Sequence, residues 1–238
     1  MKRKILYKYF NVIQKMTVYN LKIIFANRFF WFLIGSVGFY LGLSLIYILS
    51  NNIYKVQDLY GTFIFTGILL VFYPSVFGIQ NDQDARTIEI LFGIPDYRYK
   101  VWLIRLLMIF IITFLVILGY TSISSLLIIK FRILEMTSQV MLPVMFIGTL
   151  AFMMSTVVRN GNATAVIMIV LGIFFLILSD NLSRSQWNIF LNPYDLPRDM
   201  NETAWNLITV KNRIILTTGI ILCLLAGLYN LQKREKFI

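Results

Sequence analysis

Six stretches of this chain run uninterrupted by Asp, Glu, Lys or Arg, and each is near the length needed to cross a bilayer. A helix rising 1.5 Å per residue needs about 20 apolar residues to cross about 30 Å of hydrocarbon. The stretches predict spans at about 29–50, 59–79, 103–129 (charge-free from Leu106), 140–158, 163–179 and 214–231. Lipid offers no partner to an open backbone polar group, so a spanning segment must be a helix or part of a closed barrel. No period-2 alternation runs through these stretches, which excludes the barrel. The fold class expected is an all-α membrane protein with six transmembrane helices, read as a single transmembrane domain over 1–238.

Orientation follows from where the basic residues sit. With the N-terminus inside, 15 of the 22 Lys and Arg fall on the cytoplasmic side and 7 outside, which predicts cytoplasmic N- and C-termini. The same placement accounts for the net charge of +11, because seven basic residues precede Phe29 and three follow Leu231. A nucleic-acid surface is not expected, since no soluble domain remains to carry it. The first apolar run is too long for a signal-peptide core and ends in Ser50-Asn51-Asn52, so it is expected to stay as an anchor.

Chemistry is constrained by what is missing. The chain has no histidine and a single cysteine, Cys223, which removes Cys/His metal spacings, an internal disulfide and a histidine base. It has no phosphate loop ending in Gly-Lys-Ser/Thr, so P-loop ATP hydrolysis is not expected of it. No ionisable residue falls in the middle of a predicted span, which counts against an ion-coupled carrier or a charged-ring channel.

Three segments outside the spans carry information. Residues 4–28 place Lys8, Lys15 and Lys22 seven apart, with Ile5, Tyr9, Val12, Ile13 and Met16 supplying an apolar side, and predict a basic amphipathic helix in the cytoplasmic interface. The stretch after span two reads NDQDARTIEILFGIPDYRYK over 81–100. Thr87–Phe92 suits a short helix that Gly93 and Pro95 end, either a handle for a cytoplasmic partner or an ordinary loop. Between spans five and six, Trp187, Phe190, Tyr194 and Trp205 sit among polar residues with Pro193 and Pro197, and predict one or two short extracellular amphipathic helices.

Within the spans, Gly35, Gly38 and Gly42 with Ser44 predict a small-residue face for helix packing, inside the chain or across a dimer interface. Pro74 predicts a kink in span two. Thr121, Ser122, Ser124 and Ser125 predict interhelical hydrogen bonds from the outer half of span three. Arg159-Asn-Gly-Asn162 predicts a tight hairpin between spans four and five.

Taken together, these pieces resemble the permease subunits of ABC-2 type exporters. The stretch DARTIEILFGIPDYR over 84–98 is similar to that family's run of acidic residues, Thr-Leu-Glu, two or three Leu, a Pro and a basic residue. Thr87, Glu89, Leu91, Pro95 and Arg98 fall on the family positions, Arg105 on a later basic one, and the tail from Tyr229 has a similar aromatic-then-basic ending. Arg86 stands where the family usually has Gly, and Asp82 and Asp84 stand in a stretch that is usually Arg/Glu-rich.

The resemblance implies that Asp84, Arg86, Thr87, Glu89, Leu91, Pro95 and Arg98 form an ATPase-coupling segment. It would seat in P-loop ATPase subunits, which hold the ATP and Mg; no cofactor is expected on this chain. It further implies a second permease, identical or paralogous, surrounding membrane lipid, and export of an amphipathic or hydrophobic substrate (peptide, drug, lipid or glycan) from a bacterial cytoplasmic (inner) membrane. The alternative is an ion-coupled secondary transporter or an accessory polytopic subunit of a membrane assembly complex.

Overall fold

A computed structural model describes residues 29–50, 54–84 and 98–231, with 83, 84 and 98–100 described by backbone alone. The described residues form six long helices and no strand: α1 (Phe29–Leu49), α2 (Val56–Asp84), α3 (Ile104–Leu127), α4 (Ile133–Val158), α5 (Gly161–Asn181) and α6 (Glu202–Asn230). A single π-helical turn, Arg98–Leu103, leads into α3. All six are long and apolar enough to cross a membrane. The chain is a multi-pass membrane protein.

The helices outrun the charge-free stretches because a helix does not stop where hydrocarbon does. The 29 residues of α2 make a rod about 44 Å long at 1.5 Å per residue. Its first turn is fixed by Asp58, whose Oδ2 accepts from the Lys55 amide at 2.8 Å, so the helix starts before span two was expected to. On α6, Asn201 accepts from the Ala204 amide at 2.8 Å and Glu202 follows in the first turn, so the helix begins 12 residues before Ile214. The hairpin expected at 159–162 is present. Arg159 takes a left-handed conformation (φ 59°) to end α4, and the Asn160 side chain accepts from the Ala163 amide at 3.0 Å to start α5.

Helices α2 and α4 form the centre, paired with each other more extensively than any other two; α1 and α3 flank α2, while α5 and α6 lie against α4. Their pairing depends on close approach. A Cβ at Gly67 of α2 would fall 2.7 Å from Val144 Cγ2 of α4 and 2.9 Å from Ile117 Cδ1 of α3. A Cβ at Gly148 of α4 would fall 2.8 Å from the Phe110 ring. Gly35, Gly38 and Gly42 of α1 differ: a Cβ at any of them meets nothing within 4 Å. They lie on the exposed side of α1 and pack against none of the described residues.

The outer helices are apolar outward and carry hydroxyls among their few buried residues. On α1 the buried residues are Phe29, Ser36, Tyr40 and Ser44, one stripe at helical spacing, while Trp31, Leu45, Ile46 and Leu49 are exposed. On α5 the buried residues are Gly161, Thr164 and Met168, with Val166, Val170, Phe174 and Ile177 outside. Exposed apolar faces of this extent on several helices require lipid rather than water around them.

The inward hydroxyls tie helix to helix. Tyr40 and Tyr120 stack with centroids 4.3 Å apart. The Tyr40 hydroxyl donates to the Tyr120 carbonyl at 3.1 Å, which leaves Ser124 to donate to Tyr40 at 2.9 Å. Thr121 and Thr137 join α3 to α4 at 2.9 Å. Of the four span-three hydroxyls, Thr121 and Ser124 make interhelical bonds; Ser122 bonds back to the Leu118 carbonyl, and Ser125 donates to the Phe131 carbonyl.

One expectation is corrected. Residues 182–200 contain no helix but a succession of turns. Asn188 and Asn192 each accept from the amide two residues on, Phe190 at 2.9 Å and Tyr194 at 3.1 Å, and such Asx turns compete directly with helix. Pro193 and Pro197 remove two further amide donors. Trp205, expected in a separate outer helix, lies in the second turn of α6 and is 3% exposed. The interfacial helix expected over 1–28 and the basic tail after Leu231 lie outside the described residues.

Candidate functional site

The bundle carries an arginine-centred cluster at each end, and both are built by residues at the margins of the apolar stretches. The first sits where α2 ends and α3 begins. Arg105 Nη1 donates to Asp82 Oδ2 at 2.8 Å, and the two side chains are 7% and 9% exposed. The Arg105 guanidinium also lies 4.7 Å from the centre of the Trp102 ring, itself buried. Helix spacing puts Trp102 three residues before Arg105, on the same face, beside the ring-lined end of α2.

A charge this buried is stable only when paired and hydrogen-bonded. The pair therefore fixes α2 to α3 just below the stretch that joins them. Asp82 is two residues from Asp84, and Arg105 is seven residues from Arg98.

Of the coupling residues expected from the sequence, Asp84 is the last residue of α2 and Arg98 the first of the π-helical turn, both by backbone alone. Arg86, Thr87, Glu89, Leu91 and Pro95 lie outside the described residues. Asp82, which the sequence shows only as the first charge of the 81–100 stretch, is buried against Arg105. The available signal was a charge pair on either side of one short connection between two apolar runs.

The second cluster surrounds Arg213 of α6 at the opposite end. Arg213 Nε donates to Gln139 Oε1 of α4 at 2.7 Å, and Nη2 donates to the Tyr60 hydroxyl of α2 at 3.1 Å and to the Leu191 carbonyl at 3.3 Å. Nη1 donates to Asn212 Oδ1 at 3.0 Å. One planar fork thus joins three helices and the turn-rich segment.

Neighbouring side chains hold that segment by its carbonyls. Asn212 Nδ2 donates to Asn188 O at 2.7 Å and Gln186 O at 2.9 Å, and Trp205 Nε1 to Pro193 O at 3.1 Å; in the other direction, Asn192 of the segment donates from Nδ2 to the Gln57 carbonyl of α2 at 2.9 Å. Tyr194 packs edge-on to Tyr60 with centroids 6.0 Å apart. Burial first, then the charges of Glu135 and Tyr60, raise the Tyr194 hydroxyl well above the usual tyrosine range, with Arg213 opposing, so it is protonated at neutral pH. Nothing in the residue pattern around Arg213, counted as an outer charge, shows that it reaches across to α2 and α4.

Among the described residues no three His, Cys, Asp or Glu side chains gather to hold a metal ion. What the clusters do is mechanical: each joins helices at one end of the α2–α4 pair. Compared with known proteins, the chain matches no family model, no curated protein and no solved structure.

Proposed function

We propose that the chain is the membrane-spanning permease subunit of an ATP-driven exporter of the ABC-2 type, working with separate P-loop ATPase subunits and a second permease. The observation that carries the reading is the resemblance over Asp84–Arg98, taken together with what flanks it. A buried Asp82–Arg105 pair ties the two helices that this stretch connects. A load applied between Asp84 and Arg98 therefore reaches α2 and α3 together, and through α2 the central pair with α4. The cytoplasmic ATPases supply the load when ATP closes them on Mg-bound nucleotide. The substrate leaves toward the end marked by Arg213, outward from a bacterial inner membrane, and an apolar helical bundle suits an amphipathic or hydrophobic cargo.

The test is purification of the tagged chain from its native host in mild detergent, with identification of co-purifying proteins and an ATPase assay. The proposal expects a P-loop ATPase in stoichiometric yield, and loss of its stimulated turnover in Glu89→Lys while the chain still inserts. Repeated recovery of the chain alone contradicts it and favours an ion-coupled carrier or an accessory subunit of an assembly complex.

A further inference from the structure

A small cavity lies beside Pro74 on α2, walled by Ser75, Gly78, Trp102, Arg105 and Phe152. Its volume is about 10 Å³ measured to the centre of a water-sized sphere, which is room for about one water molecule. Two of its wall residues bring buried polar atoms with no protein partner, Ser75 Oγ and Arg105 Nε. Ser75 is 2% exposed and Arg105 6%.

The Ser75 hydroxyl is unlike most hydroxyls of this bundle. Those of Thr66, Thr113, Thr149 and Ser155 each bond back to a carbonyl three or four residues earlier. The adjacent Pro74 has no amide hydrogen, so the Leu70 carbonyl lacks its helical donor in the same turn. The cavity is thus walled by residues with one free N–H donor and one free hydroxyl, in the turn where the backbone ladder is broken. A buried water typically makes about three bonds, and two such partners are the fewest it takes up.

We propose that this cavity is a binding site for one ordered water molecule, which accepts from Arg105 Nε and bonds the Ser75 hydroxyl beside the Pro74 break. Water rather than an anion fits the charge, because Asp82 already neutralises Arg105 at 2.8 Å. The bridge links the arginine clasp at the start of α3 to the one place where the α2 backbone ladder is interrupted. Flexing of α2 at Pro74 then exchanges water bonds instead of breaking a direct protein bond.

The experiment is a structure of the full chain in lipid nanodiscs at a resolution that reveals ordered water, determined once in chloride and once in bromide buffer. The expected result is a single peak at about 2.7–3.2 Å from both Arg105 Nε and Ser75 Oγ, unchanged between buffers. No peak there, or a direct Arg105–Ser75 bond that closes the cavity, overturns the proposal. A peak that gains bromide scattering also overturns it, in favour of a halide site.

Thermal melting gives an independent readout. Ser75→Val fills the space and strands Arg105 Nε, whereas Ser75→Ala leaves room for the water. The valine variant is expected to melt about 2–4 °C below the alanine variant; equal or reversed melting temperatures contradict the site.

Discussion

Removing one partner of the Asp82–Arg105 pair should cost far more than removing both. In Asp82→Ala the guanidinium of Arg105 stays in a site where its side chain is 7% exposed, with the Trp102 ring 4.7 Å away and its closest carboxylate gone. Stranding a buried charge costs about 3–5 kcal/mol. The ring returns part of that, roughly 1–2 kcal/mol for a desolvated cation, so a net loss of about 1–4 kcal/mol is expected. Replacing both residues with apolar side chains of similar volume, Asp82→Leu with Arg105→Met, removes the charge and its desolvation together and should recover most of the loss. The assay is reversible unfolding in mild detergent or bicelles, arranged as a double-mutant cycle. A single-variant loss below about 1 kcal/mol, or a double variant equal to the sum of the singles, refutes the argument that the two groups act as one buried unit.

Three further outcomes follow from the geometry. Arg213→Gln removes a fork bonded to Gln139, Tyr60, Asn212 and Leu191; at roughly 1 kcal/mol for each bond lost, it should destabilise the bundle by up to about 4 kcal/mol and speed amide exchange in 188–194, and unchanged exchange there contradicts the clasp. Gly67→Val should cost about 1–3 kcal/mol through overpacking against Val144 and Ile117, whereas Gly38→Ala, with open space around it, should raise unfolding stability by up to about 1 kcal/mol from helix propensity; equal effects would show that α2 does not cross α3 and α4 so closely. Asn160→Ala removes the α5 cap and should cost about 1 kcal/mol, and Asn201→Ala should do the same for α6, both measured by thermal unfolding.

The six spans were legible because hydrocarbon imposes one requirement on every spanning residue, and a run without charge meets it visibly. The hairpin at Arg159–Asn162 was legible for a local reason, since Asn160 caps and Arg159 turns within four residues. Packing was less so. The sequence drew attention to Gly35, Gly38 and Gly42 because they are regularly spaced, yet the close approaches among the described residues fall at Gly67, Gly148, Gly161, Gly219 and Gly227, which share no such spacing. Spacing along one helix does not say which face its neighbours take.

The outer segment misled in another way. Its aromatic residues read as amphipathic helix, while Asn188 and Asn192 were already committed to turns and Trp205 to the core. Asp82 and Arg213 were hidden by the rule that found the spans. A charge at the end of an apolar run counts as outside it, and only the folded helices bring Arg105 to Asp82 across 23 residues or Arg213 to Tyr60 across 153.

The proposed exporter requires a cytoplasmic ATPase that bears on the stretch between α2 and α3. A photo-activated cross-linking side chain placed at Glu89 in the native membrane tests this most directly, with a second placed at Leu225, on the exposed face of α6, as the control. Cross-linking from position 89 to a P-loop ATPase subunit, lost when ATPase expression is removed and absent from position 225, is the predicted result. A cross-link from position 89 only to lipid, to this chain or to proteins without a nucleotide-binding loop would contradict the exporter reading.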